Sequence, residues 1–247
     1  MLSEHIIIAT EDGNCSTYVV RPRREGPLPA VIFFMDAGGI RPAALAMADR
    51  LAEAGYVVLL PDPFYRFGAY GPLVPKDVFA GDAMAILGPL MATTDNAKAA
   101  ADTAKFLTYL DTRTDVTGAV GAVGFCMGGG MALSAAASYP DRIAAVASFH
   151  GGNLATDATT SPHLLAKKLH AEVYVAAAEN DDSYPPAMAA RLETSLRDAG
   201  VRFRAETYKG AAHGWMVPDF PVFDANAADR GWAEMLALFE RRLAKAT

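Results

Sequence analysis

Apolar residues along this chain come in short blocks of strand length separated by turn residues and by longer amphipathic stretches. Residues 6–9 and 17–20 flank Asp12-Gly13-Asn14, which predicts an opening hairpin. Pro27 and Pro29 end the connection that follows. Residues 30–35 form a continuous apolar run, the pattern of a strand covered on both faces of a parallel sheet. Asp36-Ala37-Gly38-Gly39 follows, then a helix over 42–54 that starts with proline and stops at Gly55. Residues 56–60 are the next buried strand, and 64–81 read as irregular, a length of connection that is usually functional. Helices are expected over 82–89 and 94–110, a strand from about residue 119, and another over 143–149 that ends in His150-Gly151-Gly152-Asn153. A short helix over 161–168 has Ser161 at its N-cap and Pro162 at its first position. Beyond it come a strand over 172–178, a helix over 185–199 closed by Gly200, an alternating strand over 201–208 and a closing helix over 223–244. Strands and helices alternate from residue 30 onward. That order predicts an α/β fold, a mostly parallel sheet with helices on both faces, in one domain spanning 1–247.

Composition narrows the picture. With 52% hydrophobic residues the chain can bury a large core. Lysine and arginine number 22 against 28 acidic residues, a net charge of −6, and no basic run or basic-aromatic stripe suggests a nucleic-acid partner. No apolar run approaches the roughly 18 residues of a membrane span, and the first residues lack a signal-peptide pattern. The expectation is a cytoplasmic protein without membrane or nucleic-acid partners, a monomer or small homo-oligomer. Cys15 and Cys126 are the only cysteines, too few for a disulfide framework and without metal-ligand spacing.

The most informative stretch is residues 120–133. Small and β-branched residues run into Gly124-Phe125-Cys126-Met127-Gly128, and a helix leaves at once, which is the nucleophile-elbow pattern with cysteine at the apex. Glycines on either side leave room for a sharp strand-to-helix turn, and a sulfur at a helix N-terminus is favoured as thiolate. A buried structural thiol would not need Gly124, Gly128, Gly129 and Gly130 around it. A dinucleotide-binding loop is the other alternative, but G-x-G-x-x-G is absent.

In an open parallel sheet, functional groups gather on loops beyond the carboxyl ends of the strands. Asp36, Cys126, Asp181 and His213 fall there, and the order nucleophile, acid, histidine is that of α/β-hydrolases. Asp181 competes with Glu179 and Asp182 for the acid position, and Asp36 has helix capping as an alternative. In this reading Cys126 attacks an ester or lactone carbonyl, His213 moves the proton, and Asp181 holds the imidazole. The backbone N–H groups of Ala37 and Met127 stabilise the oxyanion. Tyr65, Arg66, His150 and Trp215 are candidate substrate contacts, and residues 64–91 are expected to form much of the pocket. No cofactor or metal is called for.

With these residues assembled, the chain resembles the dienelactone hydrolase family of α/β-hydrolases. The resemblance covers almost the whole length, through Asp36-Ala37-Gly38-Gly39, Pro61-Asp62-Pro63-Phe64-Tyr65, Gly124-Phe125-Cys126-Met127-Gly128-Gly129, Ala178-Glu179-Asn180-Asp181 and Ala212-His213-Gly214-Trp215. It implies an α/β-hydrolase fold and cofactor-free hydrolysis of a small ester or lactone by Cys126, His213 and Asp181. It also implies two departures. Family members that open dienelactone carry a glutamate that helps deprotonate the thiol where this chain has Asp36. They also bind the substrate carboxylate with arginines, one just after the histidine, where this chain reads Gly214-Trp215-Met216-Val217. Arg66 is the available substitute, and a more apolar ester, lactone or thioester is the expected substrate. Acyl transfer on the same residues and a non-catalytic binding role are the alternatives.

Overall fold

The computed structural model describes residues 1–243; Ala244, expected to end the closing helix, lies outside them. The hairpin forms from β1 (Leu2–Ala9) and β2 (Asn14–Arg21), paired antiparallel over their full length. Then come β3 (Leu28–Phe34), α1 (Pro42–Glu53), β4 (Val57–Pro61), the short α2 (Pro75–Val78), α3 (Ala83–Met91) and α4 (Asn96–Asp111). The second half contains β5 (Val116–Phe125), α5 (Met127–Ser138), β6 (Ile143–Phe149), β7 (Glu172–Asn180), α6 (Pro186–Asp198), β8 (Phe203–Ala212) and α7 (Ala225–Leu243).

One eight-stranded sheet runs β1-β2-β4-β3-β5-β6-β7-β8, parallel from β4 to β8 and antiparallel where β2 meets β1 and β4. Successive strand residues point to opposite faces, so each central strand serves two cores, whereas the edge strand β1 places only Ile8 in one of them. Ile32 and Val146 pack with Leu107, Leu133 and Leu192 under α4, α5 and α6. Phe33 and Phe125 pack with Met47, Leu51, Trp232 and Phe239 under α1 and α7. Burial on both faces explains why these strands read as unbroken apolar runs.

The order places β4 on one side of β3 and β5 on the other, so connections leaving β3 and β5 diverge. That divergence opens a crevice at the carboxyl ends of the strands, the usual ligand position in open α/β sheets.

Several boundaries differ from the sequence expectation for local reasons. The 64–81 segment contains a 3₁₀ turn over Pro63–Arg66, capped by Asp62, as well as α2. Helix α3 continues past Pro89 because Leu87 and Leu90 are buried on one face. The helix expected at 161–168 is 3₁₀, and the Ser161 hydroxyl bonds Thr156 N and His163 rather than capping it. No helix among the described residues is long and apolar enough to cross a membrane.

Candidate active site

Cys126 stands between β5 and α5 with φ +54 and ψ −121, a strained conformation for a residue with a side chain. The turn is tight enough that a Cβ on Gly124 would overlap the Gly128 carbonyl, and one on Gly128 would overlap that of Phe34. Glycine is therefore required at both positions by close backbone approach.

Strand register brings the other groups to this apex. In the β5–β6 pair Phe125 lies opposite Phe149, so Cys126 and His150 leave the sheet side by side. In the β7–β8 pair Asn180 lies opposite Ala212, so Asp181 and His213 do the same, and His213 N–H donates to the Asn180 carbonyl. Both strands run further than their hydrophobic patterns imply, and that extension delivers the acid to the histidine.

The result is a hydrogen-bonded line. His213 Nε2 is 3.0 Å from Cys126 Sγ, and its Nδ1 is 2.7 Å from Asp181 Oδ2. The other Asp181 oxygen accepts from Ser183 N–H at 2.9 Å and Ser183 Oγ–H at 2.6 Å. Burial by itself would raise the Asp181 pKa, but bonds from His213 and Ser183 outweigh it and hold the carboxyl below its ordinary range. Burial would lower the His213 pKa, yet the bonds to Asp181 and Cys126 push it up to about 10. Ser183 is not among the residues that the sequence pattern marks as functional. Its position two residues after an aspartate, suited to an Asx turn, is the signal for its actual contact.

The cysteine and histidine open onto a cleft of about 750 Å³ that Ala37, Met127, Asp181, Ser183 and Phe220 also line. Neither Ala37 N–H nor Met127 N–H has a hydrogen-bond partner among the described residues. Phe79, Ala83, Met84, Leu87 and Met91 give the cleft an apolar wall built from α3 and the residues before it. Among the described residues no group of three or more His, Cys, Asp or Glu is placed to hold a metal ion.

Five sequence candidates lie elsewhere. Asp36 is buried and does not line the cleft: Arg41 bonds both its oxygens at 3.0 and 3.2 Å, and Gly38 N–H donates at 2.7 Å. Arg41 is held in turn by Asp219. Arg66 is no substrate arginine in this geometry, because Asp102 and Asp12 engage its guanidinium at 2.9 and 2.7 Å. Tyr65 points the same way, bonding Thr10 and Asp102. Trp215 is fully buried and stacks on Tyr208 with ring centroids 4.2 Å apart.

His150 is also fully buried, behind the elbow rather than in the cleft. Cys126 N–H is shared between its Nδ1 at 3.2 Å and the Phe149 carbonyl at 3.1 Å. Burial first, and the neighbouring His213 charge second, hold its pKa well below 6.5. A neutral ring there puts no second positive charge beside His213, 5.3 Å away between centroids.

A sequence profile of the dienelactone hydrolase family matches residues 15–243. The chain belongs to the dienelactone hydrolase family. Proteins carrying the name "Putative carboxymethylenebutenolidase" are similar to it. The one from Escherichia coli (strain K12) is 27% identical over 95% of this chain and 85% of its own. The one from Synechocystis sp. (strain PCC 6803) is 26% identical over 96% of each. Among solved structures, a "Putative Dienelactone Hydrolase" from Klebsiella pneumoniae superimposes with a TM-score of 0.86. That match covers 97% of this chain and 98% of the other at 24% identity, and it supports the α/β-hydrolase fold of this family member.

Proposed function

We propose that this dienelactone hydrolase family member cleaves a carboxylic ester or lactone through a Cys126 acyl-enzyme. The observation that carries the proposal is the Cys126–His213–Asp181 line at the apex of a strained elbow, opening onto a cleft with two unpaired backbone N–H groups. The Cys126 thiolate attacks the carbonyl carbon, and the carbonyl electrons move to oxygen, where Met127 and Ala37 N–H donate to the new charge. Removing one such donor costs roughly 3 to 4 kcal/mol in a comparable hydrolase. Collapse re-forms the carbonyl and breaks the carbon–oxygen bond, and the leaving alkoxide takes the proton from His213 Nε2. In a lactone that alcohol stays attached to the acyl group. Neutral His213 then takes a proton from water as the water attacks the thioester, and the thiolate leaves. A histidine pKa of about 10 makes imidazolium the resting form near neutral pH, so the acid for the first half-reaction is already in place.

The test is hydrolysis of an activated aryl ester, a simple lactone and dienelactone by the parent, Cys126→Ala and His213→Ala. Both variants are expected to be at least about a hundredfold slower, with a Cys126 acyl adduct detectable by mass spectrometry in the parent. Parent-like rates in Cys126→Ala would remove the nucleophile. An added thiol or alcohol that captures the acyl group in preference to water would convert the reading to acyl transfer.

A further inference from the structure

Acidic groups outnumber basic ones in the cleft. Asp95, Asp181 and Asp182 line it, and His213 is its sole group able to carry positive charge; among its described lining residues there is no lysine or arginine. The His213 charge is already shared between Asp181 and Cys126. Asp95 and Asp182 form no ion pair among the described residues, and both are exposed. Arg41 is kept out. Its guanidinium lies 5.2 Å from the centroid of the Phe220 ring, which lines the cleft, and it is bound by Asp36 and Asp219. Thr94, Asn96, Asn153, Asn180 and Ser183 add uncharged polar groups, and the apolar part of the lining includes Met84, Met91, Met127 and Met131, flexible side chains that adapt to varied shapes.

Resting on the hydrolase reading above, we propose that this cleft takes substrates with an apolar body and no anionic group, and favours those that carry a cationic group such as a quaternary ammonium. A carboxylated substrate meets the exposed carboxylates of Asp95, which caps α4 through Lys98 N–H, and Asp182, with no lysine or arginine to answer it. An ammonium ester meets the same carboxylates as attraction, while its hydrocarbon portion buries against the methionines. Asp95 and Asp182 are the specificity-determining residues, since neither takes part in bond making.

Labelling of Cys126 tests the charge rule without requiring turnover. Two methanethiosulfonates of similar size are used, one ending in trimethylammonium and one in sulfonate, with each rate divided by that on a free thiol. Cys15 is fully buried, so Cys126 is the thiol that reacts, and Cys126→Ser is the blank. At low salt the cationic reagent is expected to be favoured at least about tenfold. The preference should shrink in roughly 0.5 M salt, and it should fall below about threefold in the Asp95→Asn, Asp182→Asn double variant. A normalised ratio of one or less in the parent overturns the proposal. Three aryl esters with acyl chains ending in tert-butyl, trimethylammonium or carboxylate form the second arm. The carboxylate is expected at least about tenfold below the other two in kcat/KM, mainly through KM. If none is hydrolysed while the labelling preference holds, the hydrolase reading fails and the charge rule survives. Hydrolysis of all three at equal rates leaves the reading intact and sinks the rule.

Discussion

At the scale of single residues, the site depends on which charges already have partners. His213 owes part of its raised pKa to Cys126, so Cys126→Ser is expected to lower it, measured by NMR titration of the imidazole. The same shift sets a pH window for stability. A histidine whose pKa is raised on folding contributes stability that is fully present below about 6.5 and is lost as pH rises through about 10. Asp181, held low, contributes above the ordinary carboxylate range and loses that contribution as pH falls through its folded value. The destabilisation caused by His213→Gln, followed by denaturant unfolding, should therefore diminish toward both pH extremes. Asp36 gives a contrasting case. Arg41→Ala strands its buried carboxylate and is expected to cost about 3 to 5 kcal/mol. Asp36→Asn should also lower the melting temperature, while keeping aryl-ester hydrolysis within about tenfold of the parent. A loss comparable to that of His213→Ala would instead make Asp36 a proton acceptor for Cys126.

Among the elements, α5 is the one that propensity alone would not form. Three of its first four residues are glycine, each costing about 1 kcal/mol relative to alanine in a helix interior. The cost is offset because each glycine allows a close approach: Gly128 to the end of β3, Gly129 to Ser148 and Gly151, Gly130 to Asn96. Gly124→Ala and Gly128→Ala are therefore expected to destabilise by about 3 kcal/mol or to prevent soluble folding, since backbone rather than a flexible side chain must move. Thermal unfolding of the soluble variants measures it, and parent-like melting would mean that the elbow is looser than its geometry indicates. The elbow was legible in sequence because this backbone demand is written in residue type. The ends of β7 and β8 were not, because Glu179-Asn180 and Lys209-Gly210 read as loop and become strand only by pairing, with Gly210 at φ +77.

For the whole molecule, the two cores share every central strand, so neither face of the sheet is expected to persist when the other melts. Trp215 and Trp232 both report on the core under α1 and α7. Tryptophan fluorescence and far-UV circular dichroism should therefore trace one superimposable denaturant transition across residues 1–247. A fluorescence change that precedes the loss of helix signal would show the two cores to be separable.

The sequence by itself determined the alternation of buried strands and helices, the sharp elbow with Cys126 at its apex, and the resemblance to the dienelactone hydrolase family. Periodicity, glycine placement and turn chemistry are local and survive in one dimension. Only the tertiary structure decided which polar residues are free to act. Asp181 faces His213 rather than Glu179 or Asp182 because one register pairs Asn180 with Ala212. Arg66 is held by Asp102 and Asp12, from α4 and the β1–β2 turn, Arg41 takes Asp36, and His150 turns under the elbow. A charged or aromatic residue has several possible partners along the chain, and which one it meets is set by packing between elements distant in sequence.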